Sequence, residues 1–356
     1  MLIAISAHGF GHLSQISPII NGLCQRVPDL RVTIQTEMPE ATVKRRVVCP
    51  FELVNHTADI GMLMSGPTII RWEDSLQAYR KFHRHWDEHM AFQIGVLQQH
   101  KPDLVLTDIP YLPLAAAADL GIPAMAYSSL NWVDIIEANP DIAARMQPEL
   151  ETMRNAYQQA ECFMQPEPSM PMPWLTERCP IGPVMEVGKS LRRRLIEDLG
   201  IDSAQKLVLV SLGGIPLASP LSHWPQIPGV HWLIPDSHGA SRADIHAWDD
   251  DRYKFTDLIA SVDLIVTKPG YGMFTEIAAC GVPALNVARP DWGETEVLER
   301  WISRHVPFTT IPLEQLLQGE ITSEITELLA APKGKPVAPT GIAEAVERLA
   351  PQLHRF

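Results

Sequence analysis

No apolar run in the 356-residue sequence approaches the roughly 20 residues that cross a bilayer as a helix, so no membrane-spanning segment is expected. The opening Met1–Ser6 has no basic flank and is too short for a secretion signal. Positive charge is in deficit: 29 Lys and Arg stand against 42 Asp and Glu, a net charge of −13. That balance argues against nucleic acid or an anionic membrane as partner. Any phosphate site must then draw on backbone dipoles and one or two local cations. Cysteine is sparse. Cys24, Cys49, Cys162, Cys179 and Cys280 are odd in number, scattered, and without metal-ligand spacing. They predict no disulfide framework and a reducing, cytoplasmic location. No close internal repeat is present, and nothing in the sequence speaks to oligomeric state.

What is there suffices for two domains with full cores. Strands are predicted at Leu2–Ser6, Leu30–Thr36, Phe51–Asn55, Asp103–Asp108 and Ala124–Tyr127. Helices Leu13–Arg26 and Glu73–His100 fall between them. This β-α alternation predicts an α/β fold with a doubly wound parallel sheet. Six prolines between Gln165 and Pro183 exclude a helix or a central strand there. A second series follows: helix Gly188–Leu199, then strands Lys206–Val210, Gly229–Ile234, Val262–Val266 and Ala284–Val287. The expected division is residues 1–180 as a first domain and 181–335 as a second of the same Rossmann-like architecture. A segment at 336–356 carries the helix Gly341–Leu349, expected to pack back on the first domain.

The stretch Thr267–Glu276 organises the chain. A buried strand runs into a turn holding Gly270 and Gly272, and a helix from Met273 to Cys280 leaves it. Glycines let backbone N–H groups approach a ligand, and the helix N-terminus behind them favours an anion. Lys268 adds a cation at the same mouth. Glu276, in the first helical turn, could accept two adjacent sugar hydroxyls. The plainer alternative is a tight βα turn with a capping Glu. Ser211–Gly214 is another glycine turn of this kind.

In a doubly wound sheet ligands bind beyond the C-terminal strand ends, where the order reverses. That rule brings the His8–His12 turn, Asp108, Ser211–Gly214 and Lys268–Gly272 to one cleft. His12 falls at a helix N-terminus, whose dipole is expected to keep the ring neutral near pH 7 and able to accept a hydroxyl proton. Asp108 could orient it. An N-cap histidine and a turn aspartate are the plainer readings. His85 and His89 share an i, i+4 spacing, and Asp249–Asp251 is an acidic run. Both are read as surface or packing features and not as metal ligands, so no metal and no cofactor is expected.

These residues resemble a family. The chain is similar to the two-domain GT-B glycosyltransferases: Gly9–His12 matches their glycine–histidine turn, Thr275–Pro283 their donor-binding helix, and Arg289–Glu294 the loop set against the donor sugar. A narrower likeness is to the glycosyltransferase-like N-terminal half of plant L-arabinokinases, through His8–His12, Asn131–Trp132, Pro171–Pro173, Leu212–Gly214 and Lys268–Gly272. No kinase activity is expected. The resemblance implies two Rossmann-like domains facing a cleft and an inverting, metal-independent transfer from a nucleotide-diphosphate sugar, UDP-linked in much of the class, to a small-molecule or glycan hydroxyl. His12 would be the base and Asp108 its partner. Gly213, Gly214, Lys268, Gly270, Tyr271 and Gly272 would hold the diphosphate, with Thr275 and Glu276 on the donor helix and Glu276 on the ribose. Asp291 and Glu294 would read the sugar. His8, Gly11, Asn131 and Trp132 would line the acceptor side. A sugar-nucleotide binder without catalysis, or an epimerase or hydrolase on the same fold, is the alternative.

Overall fold

The computed structural model describes residues 1–66, 68–213, 223–235, 242–248 and 252–354. The strands in chain order are β1 (Leu2–Ile5), β2 (Val32–Gln35), β3 (Phe51–Val54), β4 (Met64–Ser65), β5 (Ile69–Ile70), β6 (Val105–Asp108), β7 (Ala124–Tyr127), β8 (Phe163–Pro166), β9 (Arg178–Ile181), β10 (Lys206–Ser211), β11 (Val230–Ile234), β12 (Ile245–Ala247), β13 (Leu264–Thr267), β14 (Ala284–Val287) and β15 (Phe308–Ile311). One sheet has the order β3-β2-β1-β6-β7-β8-β9 and the other β12-β11-β10-β13-β14-β15. Every neighbouring pair in both is parallel. Both orders reverse beside the first strand of the series, as a doubly wound fold requires. Strands β1, β6, β10 and β13 are buried along almost their whole length, which is why they read as continuous apolar runs.

The structure departs from the sequence-based expectations at several points. The Glu73–His100 helix is two helices, Trp72–Arg84 and Trp86–His100, joined at His85. The proline-rich stretch contributes to the first sheet after all. β8 ends in Gln165 and Pro166, and β9 carries Pro180 on the sheet edge, where a missing N–H costs no ladder bond. The donor-side helix begins at Tyr271, two residues earlier than expected, and ends at Cys280, where Gly281 adopts the left-handed conformation. The helix expected from Gly188 starts at Arg192.

The cysteines also differ from expectation. Cys24 pairs with Cys49 and Cys162 with Cys179, with Cα–Cα separations of 6.3 Å and 6.0 Å, and Cys280 is free. Scatter along the chain concealed this, because adjacent parallel strands bring residues 162 and 179 together. No helix among the described residues is long and apolar enough to cross a membrane.

Contacts of several kinds tie the halves. Gly272 lies against helix Phe10–Arg26, so that a Cβ there would meet Ser14 Cβ at 3.0 Å. The C-terminal helix Thr340–Leu349 returns to the first sheet: Ala345 and Leu349 join the core of Ile3, Ile16 and Ile20. Glu344 also accepts a hydrogen bond from Gly182 N at 3.1 Å.

Candidate active site

β1 and β6 lie side by side, with Ile5 opposite Asp108. Beyond Ile5 the chain turns sharply at Gly9, whose φ of 78° and ψ of 175° are open to glycine alone. The helix then starts at Phe10 and places His12 in its first turn. His12 Nδ1 lies 2.8 Å from Asp108 Oδ1, and both side chains are buried. The helix end is not the strongest influence on the ring. Burial works against protonation, but the charge and hydrogen bond of Asp108, with Asp59 and Glu294 behind it, outweigh burial and raise the imidazole above its ordinary value. The magnitudes decide this. A helix end contributes ~0.3–1 kcal/mol, whereas a carboxylate in contact moves a titration by about one to three pH units. Burial raises the Asp108 carboxyl as well.

Asp59, which no motif announced, is buried beside this pair and accepts a hydrogen bond from Trp132 Nε1 at 2.8 Å. Trp132 stands edge-on to His12 and to His8, with ring centres 5.7 Å and 5.3 Å away. His8 stacks parallel to Trp292 of the second domain at 5.4 Å, and the Arg289 guanidinium lies over the Trp292 ring at 3.8 Å. Burial first, then the charges of His12, Arg289 and Lys268, push His8 down to about 3. Its Nδ1 accepts from Met62 N at 3.3 Å. Asn131 caps helix Trp132–Glu137 by accepting from Asp134 N at 2.9 Å, and its Nδ2 is buried without a partner. Gly11 is exposed, with open space where a side chain would go. The predicted acceptor-side residues therefore divide: His8 and Trp132 pack around His12, Asn131 supports their loop, and Gly11 lies at the rim.

On the second domain, Lys268 follows β13 and lies against Gly213, where a Cβ would sit 3.2 Å from Lys268 Cε. Gly213 has φ 83° and is exposed. Open space also adjoins Gly270. Gly214 lies outside the described residues, as does the Asp249–Asp251 run. Burial, helped by the neighbouring Arg289, brings the Lys268 amine down to about 7. Tyr271 is turned elsewhere: its hydroxyl accepts from Val184 N at 2.9 Å and donates to Glu167 O at 3.2 Å. Thr275 donates to the carbonyls of Tyr271 and Gly272, at 3.0 Å and 3.1 Å. What Tyr271 and Gly272 retain for an anion is backbone N–H.

Because the helix starts at Tyr271, Glu276 falls in its second turn and not its first. There it is buried and accepts from Arg46 Nη1 of the first domain at 3.1 Å. Burial pushes its carboxyl up, and Arg46 opposes that. The two acids of the Arg289–Glu294 loop part company: Asp291 is exposed, while Glu294 is buried. Glu294 Oε2 accepts from Trp292 Nε1 at 3.2 Å, and Oε1 has no partner among the described residues.

Among the described residues no group of three His, Cys, Asp or Glu side chains could hold a metal. His85 Nδ1 is 2.9 Å from the Lys81 carbonyl, and His89 stacks on Phe82 at 4.2 Å.

Two doubly wound parallel-sheet domains, whose switch-point loops meet across one cleft, define the GT-B fold. Solved structures agree. The chain is similar to LpCGTa in complex with UDP, with TM-score 0.64 and 16% identity, covering 100% of this chain and 99% of that one. It is similar to the glycotransferase of kitacinnamycin, with TM-score 0.63 and 18% identity over 99% and 94%. The calicheamicin glycosyltransferase CalG4 matches with TM-score 0.61 and 15% identity over 99% and 93%. No protein-family model matches the chain. In sequence it is 23% identical over 328 residues to an L-arabinokinase of Arabidopsis thaliana, covering 89% of this chain and 31% of that protein. The chain thus spans about a third of the length of that curated relative.

Proposed function

We propose that the chain is a glycosyltransferase that moves a sugar from a nucleotide-diphosphate sugar to a hydroxyl acceptor, with inversion and without a metal. The buried His12–Asp108 contact at 2.8 Å carries this reading. With Nδ1–H donating to Asp108, Nε2 is left to take the acceptor's proton. The freed oxygen forms its bond to the anomeric carbon as the bond from that carbon to the phosphate oxygen breaks. Asp108 stabilises the imidazolium that results. Charge develops on the departing diphosphate, where Lys268 and backbone N–H groups near Gly213, Gly214, Gly270 and Gly272 would meet it. Glu294 would face the sugar, and Asp291 would act from the rim. Glu276 would reach a ribose while shared with Arg46. His8 and Trp132 would wall the acceptor side. UDP bound in a structure of the same fold supports a nucleotide ligand.

A second reading has one observation in its favour. Three buried acids, Asp59, Asp108 and Glu294, all bear on His12, a richer proton-transfer set than one deprotonation needs. An epimerase or hydrolase of nucleotide sugars would use it.

Incubation with a panel of nucleotide sugars separates these. Nucleoside diphosphate release that requires an acceptor, and is lost in His12→Ala, is the expected result. Release without any acceptor indicates hydrolysis, and conversion of the sugar without release indicates epimerisation. Binding with no turnover leaves a non-catalytic binder and overturns the proposal.

A further inference from the structure

The cleft holds two basic side chains that no carboxylate among the described residues pairs. Arg289 is 6% exposed, yet among the described residues its Nε has no hydrogen-bond partner and its Nη2 reaches only Met64 Sδ, at 3.9 Å. It makes no ion pair within 4.0 Å among the described residues. Glu294 is the one carboxylate whose charge bears on it, and burial drives Glu294 toward its neutral form. The Lys268 amine stands in the same position, with no hydrogen bond or ion pair among the described residues, and Arg289 repels its charge. A buried guanidinium is costly unless paired, and two like charges together are more so. Its geometry is that of a prepared receptor. The guanidinium lies over the Trp292 ring at 3.8 Å, His8 stacks on the same ring at 5.4 Å, and Nε is left without a hydrogen-bond partner among the described residues. Such a fork matches the two oxygens of a carboxylate or phosphate, as an ammonium cannot.

We propose that Arg289, with Lys268 beside it, binds an oxyanion carried by the substrate, Arg289 reading two of its oxygens. The inference rests on the cleft being a sugar-nucleotide site and deepens that reading. Two parts of such a ligand have this chemistry: the diphosphate, and a carboxylate on the sugar itself, as in a uronic acid. Arg289 begins the loop that the family resemblance sets against the donor sugar, and Lys268 stands at the turn it assigns to the diphosphate, so the test distinguishes the two.

The test is calorimetric titration of the whole chain with inorganic pyrophosphate, UDP-glucose and UDP-glucuronic acid. Wild type, Arg289→Gln and Arg289→Lys are compared, with thermal melting as the check on folding. Arg289→Gln is expected to weaken binding by on the order of tenfold to a hundredfold, the scale of a lost hydrogen bond to a charged group. Arg289→Lys, which keeps the charge and loses the fork, should fall between, and gives the answer if Arg289→Gln does not fold. Weakening for pyrophosphate assigns the diphosphate. Weakening for UDP-glucuronic acid alone assigns a sugar carboxylate. Lys268, half-titrated near neutrality when the site is empty, should take up a proton as the anion binds. The binding enthalpy would then vary with the buffer's ionisation heat, and Lys268→Met should abolish that variation. Undiminished binding of all three ligands by both Arg289 variants overturns the proposal. So does failure of wild type to bind any of them at about 10 mM. Pyrophosphate binding needs no sugar transfer, so a chain that binds it without turnover defeats the transferase reading and leaves this inference standing.

Discussion

Arg46 of the first domain holds the carboxylate of Glu276 of the second, Nη1 to Oε1 at 3.1 Å, across 230 residues of sequence. The Glu276 side chain is 4% exposed and that of Arg46 20%, so this is a largely buried pair and not a surface ornament. Arg46→Met strands the Glu276 charge. We expect a loss of about 1–3 kcal/mol, below the full cost of orphaning a buried ion because solvent reaches Arg46. Denaturant unfolding measures it, and adding Glu276→Gln should recover part of the loss. If Arg46→Met is as stable as wild type, the pair contributes nothing to holding the domains together.

Glu276→Ala is expected to weaken UDP binding by roughly 1–3 kcal/mol, the scale of lost hydrogen bonds to a carboxylate. Calorimetry at fixed salt decides this. An unchanged affinity would make Arg46 the sole partner of Glu276.

His12→Ala should lower turnover by a factor on the order of 10² to 10⁴ while donor affinity barely moves. Asp108→Asn should lower it less. The same variant removes the negative charge that raises the His12 ring, so the ring should titrate at lower pH in Asp108→Asn, followed by NMR of its carbon-bound protons. A His12 titration unmoved by the change contradicts the coupling seen in the geometry.

His8 titrates at about 3 in the folded protein, against 6.5 ordinarily. Its folded pKa is depressed, so between those values the unfolded chain binds the additional proton. The contribution of His8 to stability is therefore intact above its ordinary pKa and is lost as pH falls through that window. His8→Phe keeps a ring against Trp292 and removes the titration. Comparing denaturation of the two proteins between about pH 7 and pH 4, where an unperturbed histidine titrates, should show wild type losing more. Parallel curves would mean that His8 protonates freely.

Turnover is expected to survive EDTA, because Lys268 and backbone N–H groups can carry the leaving-group charge. Loss of activity restored by magnesium or manganese would return attention to Asp249–Asp251.

The sequence by itself determined the architecture. Continuous apolar strands such as Leu264–Thr267, glycine turns after them and helices behind are local signals, and the switch-point rule turns them into a topology. That rule was enough to bring His12 and Asp108 together, because each ends or follows a strand of known order. It could not say what the loops face. Tyr271 was expected to hold a diphosphate, yet its hydroxyl joins Val184 to Glu167. Gly272 gives room to Ser14, and Glu276 meets Arg46. Asp59 and Trp132, 73 residues apart, meet only in the folded chain, as do the paired cysteines. The pull of its own helix on His12 is outweighed by carboxylates arriving from other elements, which raise the ring. Local propensity is written in neighbours along the chain. The charge state and partner of a cleft residue are set by groups from other strands, helices and loops that only folding brings within a few ångströms, and at that distance, away from water, they outweigh what the residue's own helix supplies.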